Sequence, residues 1–279
     1  MRKKFNVFIS FDIEGVSGVS SWQELKKDSV SLRNIREIGT DEVNAVVRGI
    51  RRARSDIGEI LVCDSHAEGE NLLIGRLARG VHLIKGSPRN YYMVEGLNED
   101  FDILFLVGYH SMAGTKAGGM DHTYSSSVIY NLKINGKYVG ETEINAAVAG
   151  AFGVPLGFVS GDDLLIKEVR KFFGRDPETV ITKYGVSRFA AKCRHPVEVQ
   201  EEMEIKSAKA VRKSGKLKLF TFKRPIRAEF ELINSLMGDL VEPIPGLKRV
   251  SARKVIFKCS DVLEFYRIMR LICTLCRLG

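Results

Sequence analysis

The feature that most constrains this chain is a pattern repeated through its first 110 residues: short apolar runs, each of strand length, that stop on polar clusters. Asn6 to Asp12 is rich in Val, Ile and Phe and reads as a strand. Glu59 to Asp64, Val81 to Lys85 and Phe101 to Tyr109 read as three more. The last is nearly all apolar, as a strand covered on both faces would be. Between the first two, Thr40-Asp41-Glu42 offers a helix cap with acids in the first turn, and Val43, Val46, Val47, Ile50 and Ile57 fit one helical face. Strands alternating with helices imply a mostly parallel sheet with helices packed on it.

After Tyr124 the pattern changes. Ser127 to Ile134 and Lys137 to Val139 flank Asn135-Gly136, a hairpin signal. A helix is expected from Glu141 to Phe152, a strand from Val154 to Ser160, and a helix capped by Asp162 or Asp163 through Phe173. Beyond lie a charged helix over Val197 to Lys213 and an alternating run from Lys216 to Leu232, where Pro225 marks an edge or bend. A strand over Lys254 to Lys258 and an amphipathic helix over Asp261 to Arg277 complete the pattern. The expected fold is α/β, with a mostly parallel sheet and flanking helices, plus a smaller α+β C-terminal lobe. The division falls near residue 185: a catalytic domain over 1–185 and the lobe over 186–279.

Composition narrows the classes. Hydrophobic residues are 44% and charged residues 28% of 279, which excludes wholesale disorder and a membrane bundle. The basic start, Met1-Arg2-Lys3-Lys4, is followed by Asp12 and Glu14, which cut the apolar run too short for a signal peptide. It reads as a basic tail feeding the first strand of a cytoplasmic protein. The five cysteines are scattered, so no disulfide framework is expected. Cys273-Thr-Leu-Cys276 has CxxC spacing inside an apolar helical pattern and reads as helix cysteines. The net charge of +9 raises nucleic-acid binding as a possibility. However, the densest basic group, Arg48, Arg51, Arg52 and Arg54, lies on the wet side of a helix, and no recognition motif accompanies it.

The chemistry collects where the strands end. Asp12-Ile13-Glu14 closes the first, and residues two apart in an extended chain point the same way. Asp64-Ser65-His66 closes the second and Gly108-Tyr109-His110 the fourth. Open α/β sheets bind ligands beyond these ends. Glu141 opens a helix after the hairpin, and His122 sits in the flexible loop Gly118-Gly119-Met120-Asp121-His122. Each motif alone fits a capping acid or an ordinary polar histidine; all at one sheet edge fit a metal site. Asp, Glu and neutral His suit zinc or another divalent transition metal. Five ligands suit two metals sharing a bridging carboxylate, with a hydroxide between them.

At these residues the chain resembles the zinc-dependent D-aminopeptidase family, typified by the enzyme of bacterial dipeptide-transport operons. The matching segments are Asp12-Ile13-Glu14-Gly15-Val16-Ser17-Gly18, Asp64-Ser65-His66 with Asn71-Leu72, Met93-Val94-Glu95-Gly96-Leu97, Gly108-Tyr109-His110, Gly140-Glu141 with Asn145-Ala146, and Val159-Ser160-Gly161-Asp162-Asp163. The resemblance implies two zinc ions per subunit, held by Asp12, Glu14, His66, His110 and Glu141, with Asp12 as the bridge. It implies that His122 is catalytic; on chemical grounds a proton-transfer or oxyanion role suits it better than that of nucleophile. The loop between His110 and His122 departs most from the family pattern, with an extra residue and Lys116. The resemblance also implies a homo-oligomeric ring, decameric in form, whose chamber admits short peptides. The expected function is therefore hydrolysis of the N-terminal residue of short peptides, D-residues above all. The rivals are another di-metal hydrolase, an amidase or phosphoesterase, and a basic nucleic-acid-binding protein.

Overall fold

The first strand is covered on both faces: Phe5, Val7, Ile9 and Phe11 enter one core and Phe8 the other, beside a buried and hydrogen-bonded Ser10. The computed structural model describes residues 4–277; Met1, Arg2 and Lys3 of the expected tail lie outside them. In order the elements are β1 (Phe5–Phe11), α1 (Val30–Ala53), β2 (Ile57–Asp64), β3 (His82–Ile84), β4 (Ile103–Tyr109), β5 (Ile129–Ile134), β6 (Lys137–Tyr138), α2 (Glu141–Ala151), β7 (Leu156–Asp162), α3 (Asp163–Phe173), β8 (Glu178–Ser187), β9 (Ala190–Cys193), α4 (Pro196–Arg212), β10 (Ile226–Leu232), α5 (Ser235–Val241), β11 (Lys248–Arg249), β12 (Lys254–Cys259) and α6 (Val262–Cys276).

Seven strands form one sheet in the order β3-β2-β1-β4-β7-β8-β9. All its pairings are parallel except β8 with β9. This is a doubly wound sheet, and its order reverses between β1 and β4, the crevice where such sheets bind ligands. On one face Val7, Ile9 and Phe11 of β1 and Phe105 of β4 pack with Val43 and Val47 of α1 and Met203 of α4. On the other, Phe8, Leu104 and Leu106 join the core built from α2, α6 and the second sheet. That sheet is antiparallel, in the order β11-β12-β10-β5-β6.

Several elements differ from the sequence expectation. Helix α1 starts at Val30, where the Ser29 side chain accepts from the Ser31 amide at 3.2 Å. Thr40-Asp41-Glu42 therefore lies inside the helix, and the Thr40 hydroxyl donates back to the Arg36 carbonyl instead of capping. Of the run from Lys216 to Leu232, only Ile226–Leu232 joins a ladder. Pro225, with no N–H to offer, precedes it. The sequence reading assigned no element to β8, β9, α5 or β11. Residue 185 falls inside β8, and neither sheet breaks there. The β5–β6 hairpin pairs with β10, while α4 packs beside α1 on the parallel sheet. The basic cluster is partly compensated: Arg48 and Arg52 lie 2.9 and 3.5 Å from Glu204, and Arg54 lies 2.7 Å from Asp56. Among the described residues no helix is long and apolar enough to cross a membrane.

Candidate metal centre

The ends of β1 and β4 are pressed together by two glycines. The Gly15 amide donates to the Gly108 carbonyl at 2.7 Å, and a Cβ on Gly15 would fall 1.9 Å from the Tyr109 carbonyl oxygen. Gly108 has φ +73°, and a Cβ there would meet the Asp12 carbonyl oxygen at 2.2 Å. This close approach sets Asp12 and Glu14 beside His110 at the topological switch point.

The six residues singled out from the sequence meet in one pocket region. His66 Nδ1 lies 2.7 Å from Glu14 Oε2 and 3.5 Å from Asp12 Oδ1. His110 Nε2 lies 3.4 Å from Asp12 Oδ2 and 3.5 Å from Glu141 Oε2. Asp12 thus turns one oxygen to each histidine. His122 Nε2 lies 3.7 Å from Glu141 Oε1 and 3.9 Å from Glu14 Oε1. Its ring stacks on that of His110, with centroids 4.1 Å apart and planes 10° apart, and Trp22 meets it edge-on. His122 therefore sits slightly farther from its carboxylates than His66 and His110 do from theirs, yet within the same cluster. The ligating atoms of His110, His122 and Glu141, and those of Asp12, Glu14 and His110, each fall within 4.8 Å of one another.

Backbone contacts fix the ring orientations. His110 Nδ1 lies 3.0 Å from the Ser111 carbonyl and His122 Nδ1 lies 2.9 Å from the Met120 carbonyl. A carbonyl only accepts, so each Nδ1 carries a proton and each Nε2 faces the carboxylates. Glu141, in the first turn of α2, accepts from the Tyr124 amide at 2.6 Å through Oε1. Asp64 is a brace: its oxygens accept from the Asn71 and Leu72 amides and the Asn71 side chain at 2.6 to 2.8 Å. The Asn71 side chain also donates to the His66 carbonyl at 2.9 Å, tying down the loop that carries His66. Asp162 does both things its position allowed. It caps α3 at the Leu164 and Leu165 amides and reaches the Ser111 amide, next to His110, at 3.3 Å.

The electrostatics are those of a cation site. Burial pushes Asp12 well above the usual carboxylate range, and the neighbouring Glu14 charge adds to it. Burial pushes Glu14 up as well, but His66 outweighs it and holds the carboxyl well below its usual range. Burial opposes a charge on His66, yet Glu14 and Asp12 raise it to about 10. His110 is likewise driven up by Glu141 and Asp12 against its burial. His122 goes the other way: burial and the neighbouring His110 lower it, so its ring is neutral at neutral pH. Buried His110 Nε2 makes no hydrogen bond among the described residues, and buried Glu14 Oε2 meets the His66 ring at 2.7 Å. Buried histidine nitrogens converging with three carboxylates are what a divalent metal, displacing their protons, satisfies. The donor set therefore fits zinc.

Sequence reasoning missed two residues that shape this centre. Trp22 Nε1 donates to Glu14 Oε1 at 3.3 Å. Lys183 of β8 is fully buried and donates to the carbonyls of Glu14, Val16 and Val19, clamping the loop after β1. The signal was present: a lysine among Val180, Ile181 and Thr182 stands inside a strand-like run. Lys116, by contrast, is exposed and does not line the pocket.

Comparisons with known proteins agree with this geometry. The family model described as D-aminopeptidase, Peptidase M55, matches residues 5–271. A D-aminopeptidase from Bacillus subtilis (strain 168) is 32% identical over 268 residues, spanning 94% of each chain. A solved structure, the Zn-dependent D-aminopeptidase DppA from Bacillus subtilis, a self-compartmentalizing protease, superposes with a TM-score of 0.92 at 29% identity, covering 99% of both chains. With a family model matched along nearly its whole length, and the strand-end residues of that resemblance gathered at one switch point, the chain belongs to the D-aminopeptidase family.

Proposed function

We propose that this protein is a zinc-dependent aminopeptidase that releases the N-terminal residue of short peptides, with D-residues preferred. One observation carries the reading: five expected ligands converge at the sheet's switch point, where buried His110 Nε2 faces the Asp12 and Glu141 carboxylates at 3.4 and 3.5 Å without a hydrogen bond. The ligands are Asp12, Glu14, His66, His110 and Glu141. Asp12 would serve both ions, a role its two oxygens support by facing different histidines. Two zinc ions per subunit, sharing an activated water, would supply the nucleophile and polarise the scissile carbonyl.

The remaining work falls to the chain's own groups. His122, neutral and with Nε2 free, takes and returns a proton at that atom. Tyr124 and Ser111 hold their histidine and carboxylate neighbours in place through backbone contacts. Trp22 walls the pocket and holds Glu14, which limits the freedom of that carboxylate. D-specificity and self-compartmentalization are carried over from the relatives. The proposed assembly is a ring, a decamer, of a cytoplasmic enzyme. A phosphoester substrate would call for a cationic nest at the metals. Lys116 stands outside the pocket, so the peptide reading is preferred.

The test is amino-acid release from matched short peptides bearing D- or L-residues at the N-terminus, with zinc and with chelator. Zinc-dependent release from D-peptides is expected. Zinc-dependent release from L-peptides alone would overturn the stereochemical part, and no release from any peptide would overturn the whole.

A further inference from the structure

The terminal helix brings positive charge to the edge of the metal pocket. Arg270, Cys273, Thr274 and Arg277 follow one another at i, i+3, i+4 and i+7 and so share one face of α6 and its C-terminal turn. They line a cavity of about 260 Å³ together with Tyr92 and Tyr124. Tyr92, Tyr124 and Arg277 also line the metal pocket, of about 220 Å³, so the two spaces share a wall. Their chemistry differs sharply. Carboxylates and histidines line the metal pocket, whereas no acid lines the second cavity and two arginines do. Neither Arg270 nor Arg277 pairs with a carboxylate among the described residues. Cys273 faces this cavity while Cys276 is buried against the Met237 carbonyl, so the two members of the CxxC spacing do not face one site.

We infer that this cavity is a carboxylate subsite, in which Arg277, assisted by Arg270, reads the free C-terminus of a short peptide whose scissile bond lies at the metals. The inference rests on the aminopeptidase reading. A peptide held by its first residue at the metals must direct the rest of its chain into adjoining space, and the second cavity adjoins. An extended peptide advances roughly 3.3 to 3.6 Å per residue, so a dipeptide or tripeptide places its carboxylate a few ångströms beyond the scissile bond. Guanidinium groups match that carboxylate in charge and in bidentate geometry. Such a subsite selects short free peptides over internal segments of proteins by chemistry, whatever the assembly does by exclusion.

The experiment compares zinc-loaded enzyme on a D-alanyl dipeptide as free acid and as C-terminal amide. Wild type is expected to favour the acid roughly tenfold or more in kcat/KM, chiefly through KM, the scale of a hydrogen bond to a charged group. Arg277→Gln should bring the acid-to-amide ratio toward one, and Arg277→Lys should restore part of it. Arg267→Gln removes the same charge from the same helix but lines neither cavity, and it should leave the ratio unchanged. Zinc content per chain, measured in every variant, separates a damaged metal centre from a lost subsite. A wild-type ratio near one, or a ratio that survives in the R270Q/R277Q double variant, would overturn the subsite while leaving the peptidase standing. A ratio lowered equally by Arg267→Gln would reduce it to long-range charge and overturn it too. Failure of wild type to cleave either peptide would remove the peptidase reading, and the subsite with it.

Discussion

Strands β4 and β10 bury their side chains by different rules. Every residue of β4, from Ile103 to Tyr109, is buried, and its first polar side chain is His110, just past the end. Along β10 buried and half-buried residues alternate: Ile226, Ala228, Phe230 and Leu232 face the core, and Arg227, Glu229 and Glu231 do not. A strand covered on both faces has little room for polar groups away from its tip, so polar residues at the tip are conspicuous. A strand with one wet face needs polar residues at every second position, and these signal only solvation. The parallel sheet thus carries chemistry at its edge, and the antiparallel sheet supplies cover and cohesion. Phe230, Phe257 and Phe265 stack in its core with centroids 5.8 to 6.2 Å apart.

The sharpest way to break this comparison is a pair of substitutions. His110→Ala at the β4 tip should lower activity roughly a thousandfold or more, the several kcal/mol that metal-ion catalysis supplies. Its zinc content per chain, read by atomic absorption, should fall as well, while chemical denaturation of the metal-free proteins shows little change. Phe265→Ala beneath β10 should do the reverse. It opens a cavity at a fully buried ring and should cost about 3 to 4 kcal/mol in the same denaturation, with zinc content per folded chain intact. If Phe265→Ala stripped the zinc while His110→Ala kept it, the division of labour between the sheets would be wrong.

Lys183 sharpens the comparison, because it is a buried charge in a strand that serves the site from the second tier. Its ammonium holds three loop carbonyls, and burial lowers its affinity for a proton against the pull of Asp162 and Glu42. Lys183→Met keeps the length and removes the donors. A cost of about 2 to 3 kcal/mol is expected from the stranded carbonyls, together with weaker zinc retention in competition with a chelator. Lys183→Met with wild-type zinc retention would make the clamp purely structural.

How much of this was legible in the sequence follows from the same contrast. Asp12, Glu14, His66 and His110 could be read because each interrupts or ends an apolar run, and two-residue spacing in a strand sets the facing of the first two. The order of strands in the sheet could not be read, since periodicity says nothing about which strands pair. The β5–β6 hairpin looked like part of the N-terminal unit for that reason, yet it pairs with β10. The start of helix α1 is hard to read because Thr40-Asp41-Glu42 carries the composition of a cap, whereas Ser29, eleven residues earlier, makes the cap hydrogen bond. Lys183 went unread because β8 was assigned no element, so its inward position could not be noticed. Arg277 could be placed on a helix but not at the edge of this pocket, a relation made by tertiary packing alone.

The smallest effect concerns a carboxyl near the site that belongs to no strand-end motif. Glu168 of α3 accepts from the Thr115 hydroxyl at 2.6 Å and the Met112 amide at 3.1 Å, tying α3 to the loop between His110 and His122. Burial, with Glu143 nearby, pushes its carboxyl from 4.5 up to about 8. The folded protein therefore holds this proton where the unfolded chain has released it. Its contribution to stability is full below about pH 4.5 and is lost as pH rises through about 8. Glu168→Gln keeps the acceptor and cannot ionise. At pH 9 the variant should be more stable than wild type by about 1 to 2 kcal/mol, a figure reduced for partial hydration of the group. The advantage should shrink steadily as pH falls and vanish below pH 4.5. Urea denaturation of both proteins across that range checks it: a difference that grows toward acid pH would mean that Glu168 is held as a carboxylate by its two donors. The loop carrying His122 would then be anchored to a charged residue, in the manner of the parallel sheet's edge, where the expected anchor is a neutral carboxylic acid.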